Sequence, residues 1–287
     1  MDISKKRLKN GFEIPMFGIG TWHMGGGLEA DDSQDKKWID ALRMAIDSGI
    51  THIDSAELYG HGHAEELVAQ AIEGQNRSKL FLVSKVSEEH LGYKNVLESC
   101  TASLKRLGTD YLDLYLIHWP NPEIPIKETL KAFDELKEQG LIRNIGVSNF
   151  NIEQLKEAQA STKNPIVTNQ LHYSLAYRTW EDVINYCQKS DILVTAYRPV
   201  ERGVLTKPGI AVLDEMCRKY EKTPAQIAIN WLISQANVVT IAKMSSADHL
   251  RENVGALGWE MKREDIEKLR NQFPEVELPK GIMKFNK

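Results

Sequence analysis

The stretch Leu112-Asp113-Leu114-Tyr115-Leu116-Ile117-His118 is an apolar run broken at Asp113 and closed by an imidazole. A short apolar run of this kind reads as a strand covered on both faces, as in a parallel sheet. Two earlier runs close in the same way. His52-Ile53-Asp54-Ser55-Ala56 carries a carboxylate at Asp54, and Leu80-Phe81-Leu82-Val83-Ser84-Lys85 ends on an ammonium. Tyr59 lies five residues after Asp54. Four titratable groups of different kinds would therefore meet at one end of a parallel sheet, where α/β proteins hold their chemistry.

Working outward, the same pattern repeats. Candidate strands are Phe17–Trp22, His52–Ser55, Leu80–Val86, Leu112–His118, Arg143–Ser148, Ile166–Leu171, Ile192–Tyr197 and Val238–Lys243, eight in all. Helix-period faces lie between them: Trp38, Leu42, Ala45 and Ile46; Val96, Leu97, Cys100, Leu104 and Leu107; Leu130, Phe133 and Leu136. Gly49, Gly108 and Gly140 stand where helices should stop, and Thr223-Pro224 is a helix start. Eight strand–helix repeats predict a (β/α)₈ barrel, with residues 1–287 as a single domain. Residues 6–15 fall outside the repeat and read as a hairpin with an Asn10-Gly11 turn, placed to close the barrel bottom. Residues 204–236 should hold two helices. A doubly wound open sheet is the weaker alternative, because Gly25-Gly26-Gly27 lacks the GxGxxG spacing and reads as a loop.

The bulk properties narrow the function. The chain has 287 residues, 42% of them hydrophobic and 26% charged, enough apolar content for a large core. A net charge of -4 without a long basic run argues against nucleic acid as a partner. Cys100, Cys187 and Cys217 are odd in number and far apart, as expected of reduced thiols in the cytoplasm. The N-terminal Met1-Asp2-Ile3-Ser4-Lys5-Lys6 lacks the apolar region of a signal peptide, and no run is long enough to span a bilayer.

Strand alternation says which way the polar groups point. Lys85 shares parity with Phe81 and Val83, and His118 shares it with Leu114 and Leu116, so both should cap the barrel layers. Neighbouring strands run ~4.8 Å apart, which lets Asp54 and Lys85 pair. A cation beside Tyr59 should lower its phenol from about 10 toward the range of a usable proton donor. Neutral His118 would donate a hydrogen bond to a substrate oxygen. This set suits a carbonyl oxygen that gains charge and then a proton. It needs no metal and offers no evident nucleophile. Hydride delivery from a nicotinamide fits.

Seven ordered motifs resemble those of the aldo-keto reductases over essentially the whole chain. They are Gly18-Ile19-Gly20-Thr21-Trp22; His52 through Gly60; Val83-Ser84-Lys85-Val86; Leu116-Ile117-His118-Trp119-Pro120; Ile145 through Phe150; Asn169-Gln170; and Ala196-Tyr197-Arg198-Pro199. The resemblance implies a barrel with an N-terminal hairpin and a catalytic tetrad of Asp54, Tyr59, Lys85 and His118. It implies reversible NAD(P)H-dependent reduction of an aldehyde or ketone, with NADPH preferred and NADH the alternative, by a protein that is a monomer by default. Trp22 and Trp119 would line the substrate pocket with Tyr59 and His118. Tyr197 would stack on the nicotinamide, and Ser148, Asn149 and Gln170 would bind its carboxamide. Thr21, Trp22, Asp54, Arg198, Pro199 and Val200 complete the expected cofactor contacts at that end. Lys243, Met244, Ser245, His249, Arg251, Glu252 and Asn253 supply those at the adenosine end.

Several positions depart from the family's pattern. Ala242 and Met244 flank Lys243 where proline and serine are frequent. His249 stands where many members have arginine, with Arg251 and Ser245-Ser246 expected to compensate. Arg198 replaces a frequent serine and is expected near the pyrophosphate. The short connection Val200 to Gly209 and a short C-terminal segment imply an open, permissive pocket. Two other classes compete. His61-Gly62-His63, with His118 and His172, offers a zinc hydrolase reading, against which the loop position of the HxH pair counts. A regulatory relative without turnover is the third, and the intact tetrad argues against it.

Overall fold

The computed structural model describes residues 3–278. Eight parallel strands close into a barrel: β3 (Phe17–Gly20), β4 (His52–Asp54), β5 (Phe81–Val86), β6 (Leu114–Ile117), β7 (Ile145–Ser148), β8 (Ile166–His172), β9 (Leu193–Tyr197) and β10 (Val238–Ala242). Each strand pairs with the next in sequence, and β10 returns to β3, with Ile241 opposite Gly18. The open-sheet alternative is thereby excluded. Most strands lie at or slightly inside the expected bounds, and β8 runs one residue further, to His172. Trp22, His118 and Lys243 lie just beyond their strands, although the His118 amide still donates to the Val86 carbonyl at 3.0 Å.

Helices cover the outside. They are α1 (Asp35–Asp47), α2 (His63–Ile72), α3 (Tyr93–Leu107), α4 (Ile126–Glu138), α5 (Ile152–Ala160), α6 (Glu181–Lys189), α7 (Ala211–Tyr220), α8 (Pro224–Ile233), α9 (Ala247–Val254) and α10 (Arg263–Gln272). The faces expected to be buried on α1, α3 and α4 are buried, apart from Leu97, which is half-buried. The segment 204–236 does hold two helices, α7 and α8. Helix α8 starts with a capping box: Thr223 Oγ accepts from the Gln226 amide, and the Gln226 side chain accepts from the Thr223 amide. No helix among the described residues is long and apolar enough to cross a membrane.

The hairpin β1 (Lys5–Arg7) and β2 (Glu13–Pro15) pairs Lys6 with Ile14. Its loop is wider than a two-residue turn. The Leu8 amide donates to the Phe12 carbonyl at 2.9 Å, and the Asn10 side chain takes the Phe12 amide at 2.9 Å. Leu8, Phe12 and Ile14 are buried against Val83, Leu114, Leu116, Leu193 and Val239 from inside the barrel. The hairpin thus plugs the bottom with apolar side chains, each worth about 1.5–3 kcal/mol when fully buried. Higher in the barrel, a Cβ on Gly146 would sit 2.5 Å from Leu116 Cδ2 and 2.7 Å from Thr168 Cγ2. Only glycine lets β7 pass there. With the bottom closed and the middle filled, the open end at the strand C-termini is left for chemistry.

Candidate active site

Asp54 ends β4, and β5 runs beside it with Val83 opposite Asp54, which leaves Lys85 two residues further toward the mouth. Lys85 Nζ donates to Asp54 Oδ1 at 2.5 Å, to the Ser55 carbonyl at 2.7 Å and to Tyr59 Oη at 3.3 Å. The three ammonium hydrogens thus meet three oxygens, the complement a buried lysine needs. Asp54 Oδ2 accepts from Gln170 Nε2 at 2.8 Å, so both carboxylate oxygens are engaged. The side chains of Lys85 and Asp54 are 0% and 2% exposed, and the pair is removed from water.

Tyr59 is carried by the turn Tyr59–Gly62, reached from β4 through the connection 55–58. Gly60 makes that turn feasible. Its φ is 57°, and a Cβ would lie 2.4 Å from the Gly25 carbonyl oxygen. The Gly60 amide donates to the Gly27 carbonyl at 2.7 Å, so the Gly25-Gly26-Gly27 loop serves as a brace for the tyrosine turn. The Tyr59 ring meets His118 edge-on, with centroids 5.5 Å apart at 70°, and meets Trp22 at 4.9 Å.

The titration behaviour corrects one expectation. Tyr59 is raised above its ordinary value, chiefly by burial with Asp54 adding, although Lys85 pulls the other way. A nearby cation alone would lower a phenol. Here the loss of water outweighs it, and the phenol is held protonated. Lys85 is raised, because Asp54 and Tyr59 outweigh burial, which would favour the neutral amine. Burial, aided by Lys85, drives His118 well below the usual imidazole range, so it is neutral. Its Nδ1 is buried without a hydrogen-bond partner.

These groups stand at one end of a cleft of about 760 Å³. Thr21, Trp22, Asp54, Tyr59, His118, Trp119, Ser148, Asn149 and Gln170 line that end, together with Tyr197, Arg198, Pro199 and Val200. Lys243, Ser245, His249, Glu252 and Asn253 line the other. Two expected contacts fall outside it. Met244 is buried in the core at 1% exposure, and Arg251 points to solvent and pairs with Asp248, so neither faces the cleft. Ser246 is spent on capping α9, where it accepts from the His249 amide. The HxH pair also lies off the cleft. His61 contacts Glu29, while His63 is held between Asp35 and Glu66 at 2.9 Å each, and no metal-holding cluster of three or more His, Cys, Asp or Glu occurs among the described residues.

Sequence reasoning missed His23, Arg202, Tyr177 and Trp180 as cleft residues, and considered His172 only as a zinc ligand. His172 was findable, since alternation from Gln170 puts it on the same face of β8. The others sit on connections whose course alternation does not describe.

The cleft suits a phosphorylated dinucleotide. Lys243 and Arg198 are both held below their ordinary values by burial first; like charge adds to it, from Lys37 and then Arg202 at Lys243 and from Arg202 at Arg198, where Tyr197 and Glu201 pull the other way. His23 is lowered by burial and then by Lys243, Arg202 and Arg198 together. Three cations thus act on one point of the cleft wall, a field complementary to phosphate groups. At the other end the amide-bearing side chains are knit together. Asn149 donates to Ser148 Oγ at 2.9 Å and to the His118 carbonyl at 3.2 Å, and accepts from Tyr197 Oη at 3.0 Å.

The family model described as Aldo/keto reductase family matches residues 16–272. The chain belongs to the aldo/keto reductase family. It is similar to the methylglyoxal reductase YeaE of Escherichia coli (strain K12), with 38% identity over 273 residues covering 93% of each chain. Among solved structures it resembles the thermostable aldo-keto reductase Tm1743 in complex with the inhibitor epalrestat. That match has 43% identity and a TM-score of 0.89, and covers 94% of this chain and 100% of the other. An aldo/keto reductase from Klebsiella pneumoniae in complex with NADP and acetate matches at 35% identity with a TM-score of 0.84, covering 96% and 97%. As an aldo/keto reductase, the chain is an oxidoreductase acting on carbonyl compounds.

Proposed function

We propose that the chain, acting as one catalytic unit, reduces small aldehydes and ketones to alcohols with NADPH, and that Tyr59 is the proton donor. The observation that carries this reading is the Tyr59 hydroxyl 3.3 Å from Lys85 Nζ, at the head of a cleft that continues to Lys243. The cofactor supplies the hydride for the carbonyl carbon. The residues of the chain do the rest. Neutral His118 donates a hydrogen bond that orients the carbonyl oxygen and stabilises its developing charge. Tyr59, kept protonated by burial, passes its Oη proton to that oxygen. Lys85, fixed as ammonium by Asp54, steadies the phenolate that results. Trp22 and Trp119 exclude water and favour apolar or planar substrates. Ser148, Asn149, Gln170 and Tyr197 would hold the nicotinamide end, while Arg198, Lys243 and His249 would take the phosphates. The name of the E. coli relative puts methylglyoxal among the first carbonyls to try. Free thiols at Cys100, Cys187 and Cys217 accord with a reducing compartment such as the cytoplasm.

The test is a panel of aldehydes, ketones and 2-oxoaldehydes assayed with NADPH and with NADH, for the native protein and Tyr59→Phe. The variant should retain cofactor binding and lose about 10²–10⁴-fold in kcat, the span of general acid catalysis. Turnover equal to that of the native protein would remove Tyr59 from this role.

A further inference from the structure

The connection after β9 carries an arrangement that the proton-transfer chemistry does not use. Its Glu201 is 2% exposed, and it is the anchor of the turn Glu201–Thr206. The Glu201 carboxylate collects His172 Nε2 at 2.8 and 3.0 Å, and Ser174 Oγ donates to it at 2.5 Å. Both partners come from the end of β8 and the segment just after it. The same Ser174 Oγ accepts from the Tyr177 amide at 3.0 Å. The His172 ring in turn lies parallel to Tyr177 at 3.9 Å and to Tyr197 at 5.4 Å, with interplanar angles of 8° and 15°.

The backbone around Glu201 is one a chain does not adopt unaided. Arg198, Glu201 and Arg202 have φ of 60°, 46° and 53°, in the left-handed region that non-glycine residues avoid. Such conformations persist only where surrounding contacts over-determine them. Arg198 and Arg202 lie on either side of Glu201, and both line the cleft. A buried carboxylate with two side-chain donors beneath the loop supplies the missing constraint.

We infer that Glu201 is a positioning residue: held by His172 and Ser174, it keeps the 198–206 loop set, with Arg198 and Arg202 at the cleft, before a dinucleotide binds. The inference rests on the cofactor reading given above. It makes cofactor affinity, and not the chemical step, the property that Glu201 controls. An unanchored loop that spends about one-tenth of its time in the receiving arrangement raises the apparent Kd about tenfold.

The experiment titrates NADPH against the purified protein by fluorescence and measures kcat and KM at saturating carbonyl substrate. Glu201→Ala should raise the Kd and KM for NADPH about tenfold, while kcat at saturating NADPH stays within about twofold. Glu201→Gln keeps an acceptor oxygen for both donors and should recover to within about threefold of native affinity. Ser174→Ala removes one donor and should shift the Kd in the same direction by about threefold, which decides the matter if Glu201→Ala does not fold. Tyr197→Ala serves as the control on the cofactor reading. If it weakens NADPH while Glu201→Ala and Ser174→Ala do not, the anchor is overturned and the cofactor reading stands. If none of the three weakens NADPH, the cofactor reading itself fails. A loss of kcat and KM together that Glu201→Gln does not rescue assigns Glu201 to general folding and also overturns the inference.

Discussion

The Asp54–Lys85 pair permits a test that separates structural work from chemical work. In Asp54→Asn, Lys85 keeps three neutral acceptors, the Ser55 carbonyl, Tyr59 Oη and the new amide oxygen, but loses its anion. In Lys85→Met, Asp54 keeps a single side-chain amide donor, from Gln170, and no cation. Removing one partner of a buried pair costs about 3–5 kcal/mol, and the poorer residual bonding of Asp54 places Lys85→Met toward the upper end. The double variant carries no buried charge, so its cost should fall short of the sum of the single losses by about 3 kcal/mol. The assay is urea unfolding followed by tryptophan fluorescence, with turnover measured on the same preparations. The double variant should be about as stable as Lys85→Met alone, rather than less stable by the full cost of Asp54→Asn, while turnover stays lost in all three. Single-variant losses that add to within about 0.5 kcal/mol would refute the coupling inferred from the 2.5 Å contact. Recovered turnover in the double variant would show the pair to be structural only.

Other outcomes follow from separate features. Burial lowers His52 to about 4, with Lys85 also pushing down and Asp54 and the Pro15 carbonyl pulling up, and neither ring nitrogen has a well-formed hydrogen bond. Since the folded value lies below the unfolded one, the unfolded chain takes the proton first and stability is lost as pH falls below about 6.5. Native protein should therefore lose about 2 kcal/mol more than His52→Leu between pH 7 and 4.5, read from denaturant curves at each pH, and equal losses would remove His52 as the cause. Gly146→Ala should destabilise by about 1–3 kcal/mol through the clash with Leu116 and Thr168, measured as a lower urea midpoint. Lys243→Ala should weaken NADPH about tenfold more than NADH if the lysine meets the phosphate that only NADPH carries. Equal weakening would place Lys243 elsewhere.

The barrel and the convergence at its mouth were legible because both follow from a period of two. Alternation along β5 and β6 aims Lys85 and His118 inward above Val83, Leu114 and Leu116, and parallel pairing does the rest. What depends on burial or on the path of a connection was not legible. Charge proximity alone argued for a lowered Tyr59, and the dryness of its site reversed the sign. The expected contact at Arg251 failed because α9 turns that side chain to Asp248, a matter of helix phase relative to the cleft. Arg202 and His23 were invisible as cleft residues because each reaches it through a left-handed backbone step, with φ of 53° and 63°.

The two ends of the cleft are opposite in electrostatic character, and the difference divides the work between them. At the catalytic end charge is balanced: one ammonium meets one carboxylate, while Tyr59 and His118 are both held neutral. A neutral, dry end strengthens each hydrogen bond offered to a developing oxyanion, because little water screens it. Further along the wall, from Arg198 to Lys243, Arg202 acts on both Arg198 and Lys243, and all three act on His23, in the direction of deprotonation, while Tyr197 and Glu201 pull Arg198 the other way. An entering anion relieves that repulsion, so part of the binding free energy is gathered at the phosphate contacts rather than at the reacting atoms. It can then serve to hold the nicotinamide end in register without loading the proton-transfer groups with charge. The scheme demands that rising ionic strength weaken cofactor binding while leaving kcat at saturation nearly constant, since screening reaches exposed phosphate contacts and not the buried pair.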